Sequence, residues 1–285
     1  HLSIRRQRQM CIRDRLRAYL IEYKLAGKSI GLVPTMGFLH EGHASLIRRA
    51  RSENDIVVVS DFVNPTQFGA NEDLDSYPKD LEADSRLCED IGVDFIFAPE
   101  ASEMYKDSKT FVDIEGMSDN LCGAKRPGHF RGVCTVCTKL FNITGANRAY
   151  FGQKDAQQVA IINKIVADLN IPIEIIPCPI VRESDGLALS SRNTYLAEEE
   201  RKAALCLSKA IFKGEDLAKD GASVDEVLKT MEEIISSEKL AKIDYISVVD
   251  LTTMKDTRDF DGDRLVAIAV FIGKTRLIDN FIFRG

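Results

Sequence analysis

No apolar run in this 285-residue chain is long enough to cross a bilayer, which excludes a membrane-spanning helix. An excess of positive charge is missing too. Lys and Arg number 38 against 44 Asp and Glu, a net charge of −6, which argues against nucleic acid as a bulk partner. Neither an internal repeat nor a low-complexity segment appears. No secretory signal is visible, so a cytoplasmic protein is expected. The seven cysteines are odd in number and scattered, which suits reduced thiols rather than a disulfide framework. What remains is a soluble globular profile, 45% hydrophobic and 29% charged, with length for one large domain or two smaller ones.

Cys134 and Cys137 form a C-x-x-C, for which zinc or redox chemistry is the sharp reading. No second C-x-x-C follows, and the pair lies in the apolar helical stretch Val133 to Phe141. Packing as small hydrophobes is the favoured reading.

The chain is organised around Met36-Gly37-Phe38-Leu39-His40-Glu41-Gly42-His43. An apolar run over residues 30–33 stops at Pro34, and Ala44 to Arg51 reads as a helix with Leu46, Ile47 and Ala50 on one side. Two histidines therefore stand at a strand–turn–helix junction. Helix N-termini carry unpaired N–H groups and a partial positive charge, and so attract phosphate. A second strand over residues 55–63, continuously β-branched, implies burial on both faces and a parallel βαβ unit. Its exit loop, Asn64-Pro65-Thr66-Gln67-Phe68, is expected beside the histidine loop, at the carboxyl ends of the strands.

Further along, residues 80–90 read as a helix carrying Asp84, residues 93–99 as a strand, and residues 110–114 as a short edge strand. The loop 122–132, with Arg126, His129 and Arg131 among glycines, is either an anion site or a plain surface loop. A strand over residues 148–151 leads to Gly152-Gln153-Lys154-Asp155, which opens a helix. A lysine at a helix N-terminus is opposed by the dipole and calls for a local anion; solvation is the alternative. Gln158 shares a side of that helix with Lys154. A strand over residues 173–180 and a hinge at 181–188 precede Leu189-Ser190-Ser191-Arg192-Asn193, a grouping suited to phosphate. Residues 198–217 and 224–236 read as helices, and 245–249, 264–272 and 276–283 as strands. The fold class expected is α/β, a Rossmann-like parallel sheet over residues 1–180 followed by a smaller α+β domain over residues 181–285. The arginine-rich start, residues 1–15, reads as a foreign or disordered end and is left out of that fold; a basic arm is the alternative.

Together these blocks resemble the pantothenate synthetase family of the His-x-Gly-His nucleotidyltransferase superfamily, from about Leu16 to the C-terminus. The resemblance is carried by residues 33–43, 64–68, 126–132, 152–158 and 190–192, in the same order. It implies an ATP-dependent condensation of pantoate with β-alanine through pantoyl adenylate, with Mg²⁺, releasing AMP and pyrophosphate. It also implies a homodimer, a C-terminal lid domain and no nucleic-acid or membrane partner. By that resemblance Met36 to His43, Gly152 to Asp155, Val181 and Leu189 to Arg192 contact ATP. His43, His40 and Lys154 are catalytic, with His43 the proton donor. Gln67 and Gln158 hold pantoate, with Gln67 also near β-alanine, and Asn64 and Arg126 lie near the substrates. Asp84 is the implied Mg²⁺-associated carboxylate. Leu189 stands where many members carry methionine. The N-terminal strand of the family is replaced, on this reading, by the arginine-rich stretch. A nucleotidyltransferase that stops at a nucleotidyl product, and an inactive nucleotide-binding protein, are the competing readings.

Overall fold

The computed structural model describes residues 12–70 and 72–285, and residues 8–10 as backbone. Two compact units emerge. The first comprises residues 1–114, 126–152 and 161–178; the second comprises 115–125, 153–160 and 179–285. Segments 115–125 and 153–160, expected within the N-terminal domain, thus belong with the C-terminal part of the chain.

The first unit is a six-stranded sheet, all parallel, in the order β1-β4-β3-β2-β5-β6. Its strands are β1 (Arg8–Met10), β2 (Ile30–Thr35), β3 (Ile56–Asp61), β4 (Phe95–Phe97), β5 (Arg148–Gly152) and β6 (Glu174–Cys178). Central β3 is buried from Ile56 through Ser60, as its uninterrupted β-branched run requires of a strand covered on both faces. Its helices are α1 (Arg13–Leu25), α2 (Glu41–Glu53), α3 (Leu81–Ile91), α4 (Ala101–Tyr105), α6 (His129–Thr144) and the larger part of α7 (Ala156–Asp168), whose first residues, like α5 (Leu121–Lys125), are counted in the second unit. On α2, Ala44, Leu46, Ile47 and Ala50 are buried, and the last three join Val33, Val57, Val59 and Ile96 in one core.

Three expectations need correction here. Arg8–Met10 pairs in parallel with Phe95–Phe97, and α1 begins at Arg13, so residues 8–10 and 13–15 are part of the fold; residues 1–7 and Cys11 lie outside the described residues. An edge strand is held by backbone N–H and C=O groups, which composition does not display. Residues 110–114 form no strand: the backbone N–H of Val112 donates to Thr135 Oγ1 at 3.0 Å, and that hydroxyl donates to the Val112 carbonyl at 3.3 Å. A helix side chain there takes the place of a ladder. The loop expected over residues 122–132 is instead two helix ends, α5 and the start of α6.

The second unit is built on an antiparallel sheet, β7 (Ala241–Asp250), β8 (Arg264–Ile272) and β9 (Thr275–Phe283), with β8 central. Helices α8 (Glu198–Ala203), α9 (Leu205–Lys219) and α10 (Val224–Ser236) cover it, the first two divided at Ala204 where a single helix was expected. Their buried face, with Leu207, Ile211, Val227, Met231 and Ile235, packs on Val248, Val266, Ile268, Val270 and Phe281. Gln157 ties the early segments to each other: it donates to the carbonyls of Met117 and Asn120 and accepts from the Cys122 N–H. Asn120 in turn donates to the Met254 carbonyl at 3.0 Å.

Candidate active site

In the first unit the candidate site is made at the carboxyl ends of β2 and β3, which are neighbours in the sheet. Gly37 has φ +77° and Phe38 φ +52°, so the chain leaves β2 through two successive left-handed residues. A Cβ on Gly37 would lie within van der Waals overlap of Asp61 Oδ1, so only glycine fits. The next two amides are caught by α3: Phe38 N–H donates to Asp84 Oδ2 at 2.7 Å, and Leu39 N–H to Asp84 Oδ1 at 2.6 Å.

This clamp delivers His40 to the N-cap of α2. His40 Nδ1 accepts from the Gly42 N–H at 3.1 Å, and His43 Nδ1 accepts from the His40 N–H at 3.2 Å. An Nδ1 that accepts carries no proton, so each neutral ring holds its proton on Nε2. The two rings lie 4.1 Å apart at the mouth of α2. Two imidazole N–H donors and a helix N-terminus are of the chemistry that suits oxygen anions.

Asp84 was expected as a Mg²⁺-associated carboxylate. Each of its oxygens instead accepts a backbone N–H of the histidine loop, and the residue is 3% exposed. Among the described residues no group of three or more His, Cys, Asp or Glu side chains is arranged to hold a metal. Asp84 thus holds the histidine loop through both of its oxygens. Its neighbour is a second carboxyl, Asp61, whose pKa is pushed up to about 7 by burial first, then by the charge of Asp84 and a bond shared with it. Burial raises Asp84 as well. As two carboxylates neither could donate, and Asp61 Oδ2 would stay buried without a partner. A proton held by the pair would supply the missing bond, and the raised value of Asp61 favours that state below about pH 7.

The loop after β3 comes beside the histidine loop, as its position in the sheet implies. Gln67, 9% exposed, donates from Nε2 to Met36 Sδ at 3.2 Å and accepts at Oε1 from Asn64 Nδ2 at 3.0 Å. Asn64 is engaged throughout: it also donates to the Gly132 carbonyl and accepts from Thr66 N–H, Thr66 Oγ1 and Tyr105 OH. It aims Gln67 rather than presenting a free group to a substrate. Helix α6 approaches this turn so closely that a Cβ on Gly132 would collide with the Thr66 carbonyl oxygen. Arg126 is likewise turned inward. Its guanidinium binds Glu72 at 2.7 and 2.6 Å, which holds the Glu72 carboxyl below the ordinary value against its burial. It also contacts His129 Nε2 at 3.1 Å, and His129 Nδ1 reaches the Gln67 carbonyl at 2.8 Å. Glu72 and His129 were not singled out in the sequence for these roles.

The other half of the expected residues is in the second unit, apart from Gly152 at the end of β5. Gln153–Asp155 form a 3-10 turn ahead of α7, with Lys154 Nζ 3.6 Å from Asp155 Oδ2, and Gln158 is half-buried on the first turn of the helix. Val181 and Leu189 face each other across a hairpin, Leu189 N–H donating to the Val181 carbonyl at 3.0 Å. Ser190 caps the 3-10 turn Ser191–Tyr195 by accepting from the Arg192 N–H at 3.3 Å. Cys134 and Cys137 stand apart from all of this, buried on α6. Burial pushes the Cys134 thiol up to about 12 and raises Cys137 further, so neither is a thiolate near neutral pH.

Comparison with known proteins decides the family. The model of the pantoate-beta-alanine ligase family matches residues 10–282. The chain belongs to the pantoate-beta-alanine ligase family. It is 58% identical over 273 residues to a pantothenate synthetase of Clostridium novyi, covering 95% of this chain and 96% of that one. A pantothenate synthetase of Acetivibrio thermocellus is 56% identical over 269 residues, covering 94% of this chain and 96% of that one. Among solved structures, a pantothenate synthetase from Thermus thermophilus superposes with a TM-score of 0.93 at 43% identity, covering 98% of this chain and all of that one. A pantoate-beta-alanine ligase from Francisella tularensis, complexed with beta-gamma ATP and beta-alanine, gives a TM-score of 0.81 at 35% identity and covers 97% of this chain and 98% of that one. The family match begins at residue 10, within the stretch set aside in the sequence.

Proposed function

We propose that this member of the ligase family condenses (R)-pantoate with β-alanine at the expense of ATP, through pantoyl adenylate, releasing AMP and pyrophosphate. A carboxylate is a poor acyl donor because its leaving group would be oxide. Attack of a pantoate carboxylate oxygen on the α-phosphorus expels pyrophosphate and installs AMP as the leaving group. The amine of β-alanine then attacks the acyl carbon, the C–O bond to AMP breaks, and the amine's proton departs to solvent. Two anions meet in the first step, so it needs donors aimed at phosphate oxygens. The second step needs a neutral amine and positioning.

Residue roles follow the resemblance. Met36 to His43, Gly152 to Asp155, Val181 and Leu189 to Arg192 contact ATP; His40, His43 and Lys154 stabilise charge on the reacting phosphate, with His43 the proton donor. Gln67 and Gln158 orient pantoate, and Gln67 serves β-alanine too. Asn64 and Arg126 act one step back, by holding Gln67. Mg²⁺ would accompany the triphosphate and neutralise part of its charge, with Asp84 the carboxylate the resemblance associates with it. The same reading includes a cytoplasmic homodimer, with residues 181–285 as its lid domain.

The observation that supports this most is the paired Nε2–H imidazoles at the mouth of α2 beside the clamped amide of Gln67. A phosphate site alone would also serve a plain nucleotidyltransferase; a neutral amide next to it suits a hydroxy-acid. The test is to incubate protein, ATP, Mg²⁺ and pantoate with and without β-alanine, and to follow AMP and pantothenate. Pantothenate formed in step with AMP is expected. A stable nucleotidyl product with no amide, or AMP release indifferent to β-alanine, would favour the second reading.

A further inference from the structure

Strand β9 is apolar at its centre except for two consecutive residues, Asp279 and Asn280, which are 2% and 3% exposed. Consecutive strand residues point to opposite faces, so one core face cannot account for both. Burying a carboxylate and an amide is costly unless every polar atom is matched, and apolar residues would serve stability as well.

Each of the two holds a different segment. Asn280 Nδ2 donates to the carbonyls of Gln153 at 3.0 Å and Lys154 at 2.9 Å, and its Oδ1 accepts from Gln153 Nε2 at 3.4 Å. It therefore fixes the 3-10 turn that carries Lys154. Asp279 takes Arg182 in a two-pronged pair, at 2.7 and 2.9 Å, and its Oδ1 also accepts the Asn280 N–H at 2.8 Å. Arg182 lies on the hairpin that ends in Leu189. It bridges to Ala188, donates to the Gly186 carbonyl at 3.1 Å, and lies over the Phe212 ring at 4.9 Å. Through Arg182, then, Asp279 fixes the base from which Leu189 to Arg192 emerge.

We propose that Asp279 and Asn280 are a positioning pair which holds the Lys154 turn and the Leu189–Arg192 loop in one register for ATP. Neither residue touches the nucleotide. The proposal rests on the ligase reading above and adds to it the residues that preorganise these two segments of the second unit. A charge pair replaced by apolar residues of similar size is often neutral for stability, whereas removing one partner is not. That difference separates positioning from mere support.

Two variants test it: Asn280→Leu, and the double replacement Asp279→Leu with Arg182→Met. Phe281→Leu, a truncation in the core one residue along, calibrates lost stability. Affinity for a β,γ-imido analogue of ATP is read by calorimetry, alongside thermal melting. Misaligned ligand contacts are expected to weaken binding about 10-fold or more in both test variants, even where melting is close to wild type. Phe281→Leu is expected to melt lower and bind unchanged. Binding by both test variants within about 2-fold of wild type, or a loss in Phe281→Leu as large as theirs, overturns the proposal. A wild-type protein that does not bind the analogue overturns the ligase reading and this inference with it; wild-type binding with unaltered variants overturns this inference alone.

Discussion

Asp61→Asn should make the protein more stable at pH 8, and by less than half that margin at pH 5. Asp61 faces Asp84 at the end of β3, and its pKa lies at about 7 against an ordinary 3.8. Between those values the folded chain holds a proton that the unfolded chain has released. The folded state binds more protons, so stability falls as pH rises through this window; it is fully present below the unfolded value and gone above the folded one. At about 1.4 kcal/mol per pH unit the ceiling is roughly 4 kcal/mol. Asp61 is only partly buried and shares the proton with Asp84, and such screening brings the usable effect to about 1–2 kcal/mol. Asparagine keeps the shape and offers Asp84 an N–H donor at every pH, so the variant escapes the loss. For a protein of this size that is a rise of roughly 2–8 °C in melting temperature at pH 8. The chain has no tryptophan, so far-UV circular dichroism at constant ionic strength is the suitable probe. A difference between variant and wild type that does not change from pH 5 to pH 8 would refute the shared proton, as would a variant less stable at pH 8.

Other consequences are direct. His43→Ala and His40→Ala should each lower the rate of pantothenate formation by about 10²–10⁴-fold, with a fall in melting of only a few degrees from the lost cap bond; a loss under about 10-fold would exclude the assigned donors. Gly37→Ala places a methyl against Asp61 at a left-handed φ and should cost at least about 1–3 kcal/mol, read by urea denaturation. Cys134 and Cys137 should resist iodoacetamide in the native protein at pH 7.5, as followed by mass spectrometry, and react once urea unfolds it.

Much of the architecture was legible because periodicity reports burial. The β-branched run of β3 and the spacing of Leu46, Ile47 and Ala50 on α2 each describe a face, and those faces are buried. Features held by backbone bonds alone were not legible. β1 is three residues of edge strand, and no side-chain pattern announces so short a pairing. Residues 110–114 failed in the opposite sense, having strand-like composition but a helix hydroxyl, Thr135, where a neighbouring strand would be. Segments 115–125 and 153–160 join the second unit through polar side chains whose partners lie far along the chain, Asn120 at the Met254 carbonyl and Asn280 at the carbonyls of Gln153 and Lys154, which chain order does not reveal.

The site divides along a related line. Side chains that meet a substrate are set in recognisable short motifs, because their spacing is dictated by a turn, as His40 and His43 are by the N-cap of α2. Side chains that hold those motifs in place come from far along the chain and obey no local spacing. Asp84 is 46 residues from the Phe38 amide that it accepts, and Asn280 is 126 residues from the Lys154 carbonyl that it satisfies. Yet such residues do leave one trace in a sequence. Asp279-Asn280 interrupts Leu277-Ile278 and Phe281-Ile282 in what is otherwise a buried strand, and a buried polar group must find partners or be costly. Asp84 breaks the apolar face of α3 in the same way, between the loop it clamps and Cys88 in the core. The supports of a site are therefore to be sought among polar residues at positions that periodicity assigns to the core, since burial there is tolerated only where a distant backbone group needs a partner.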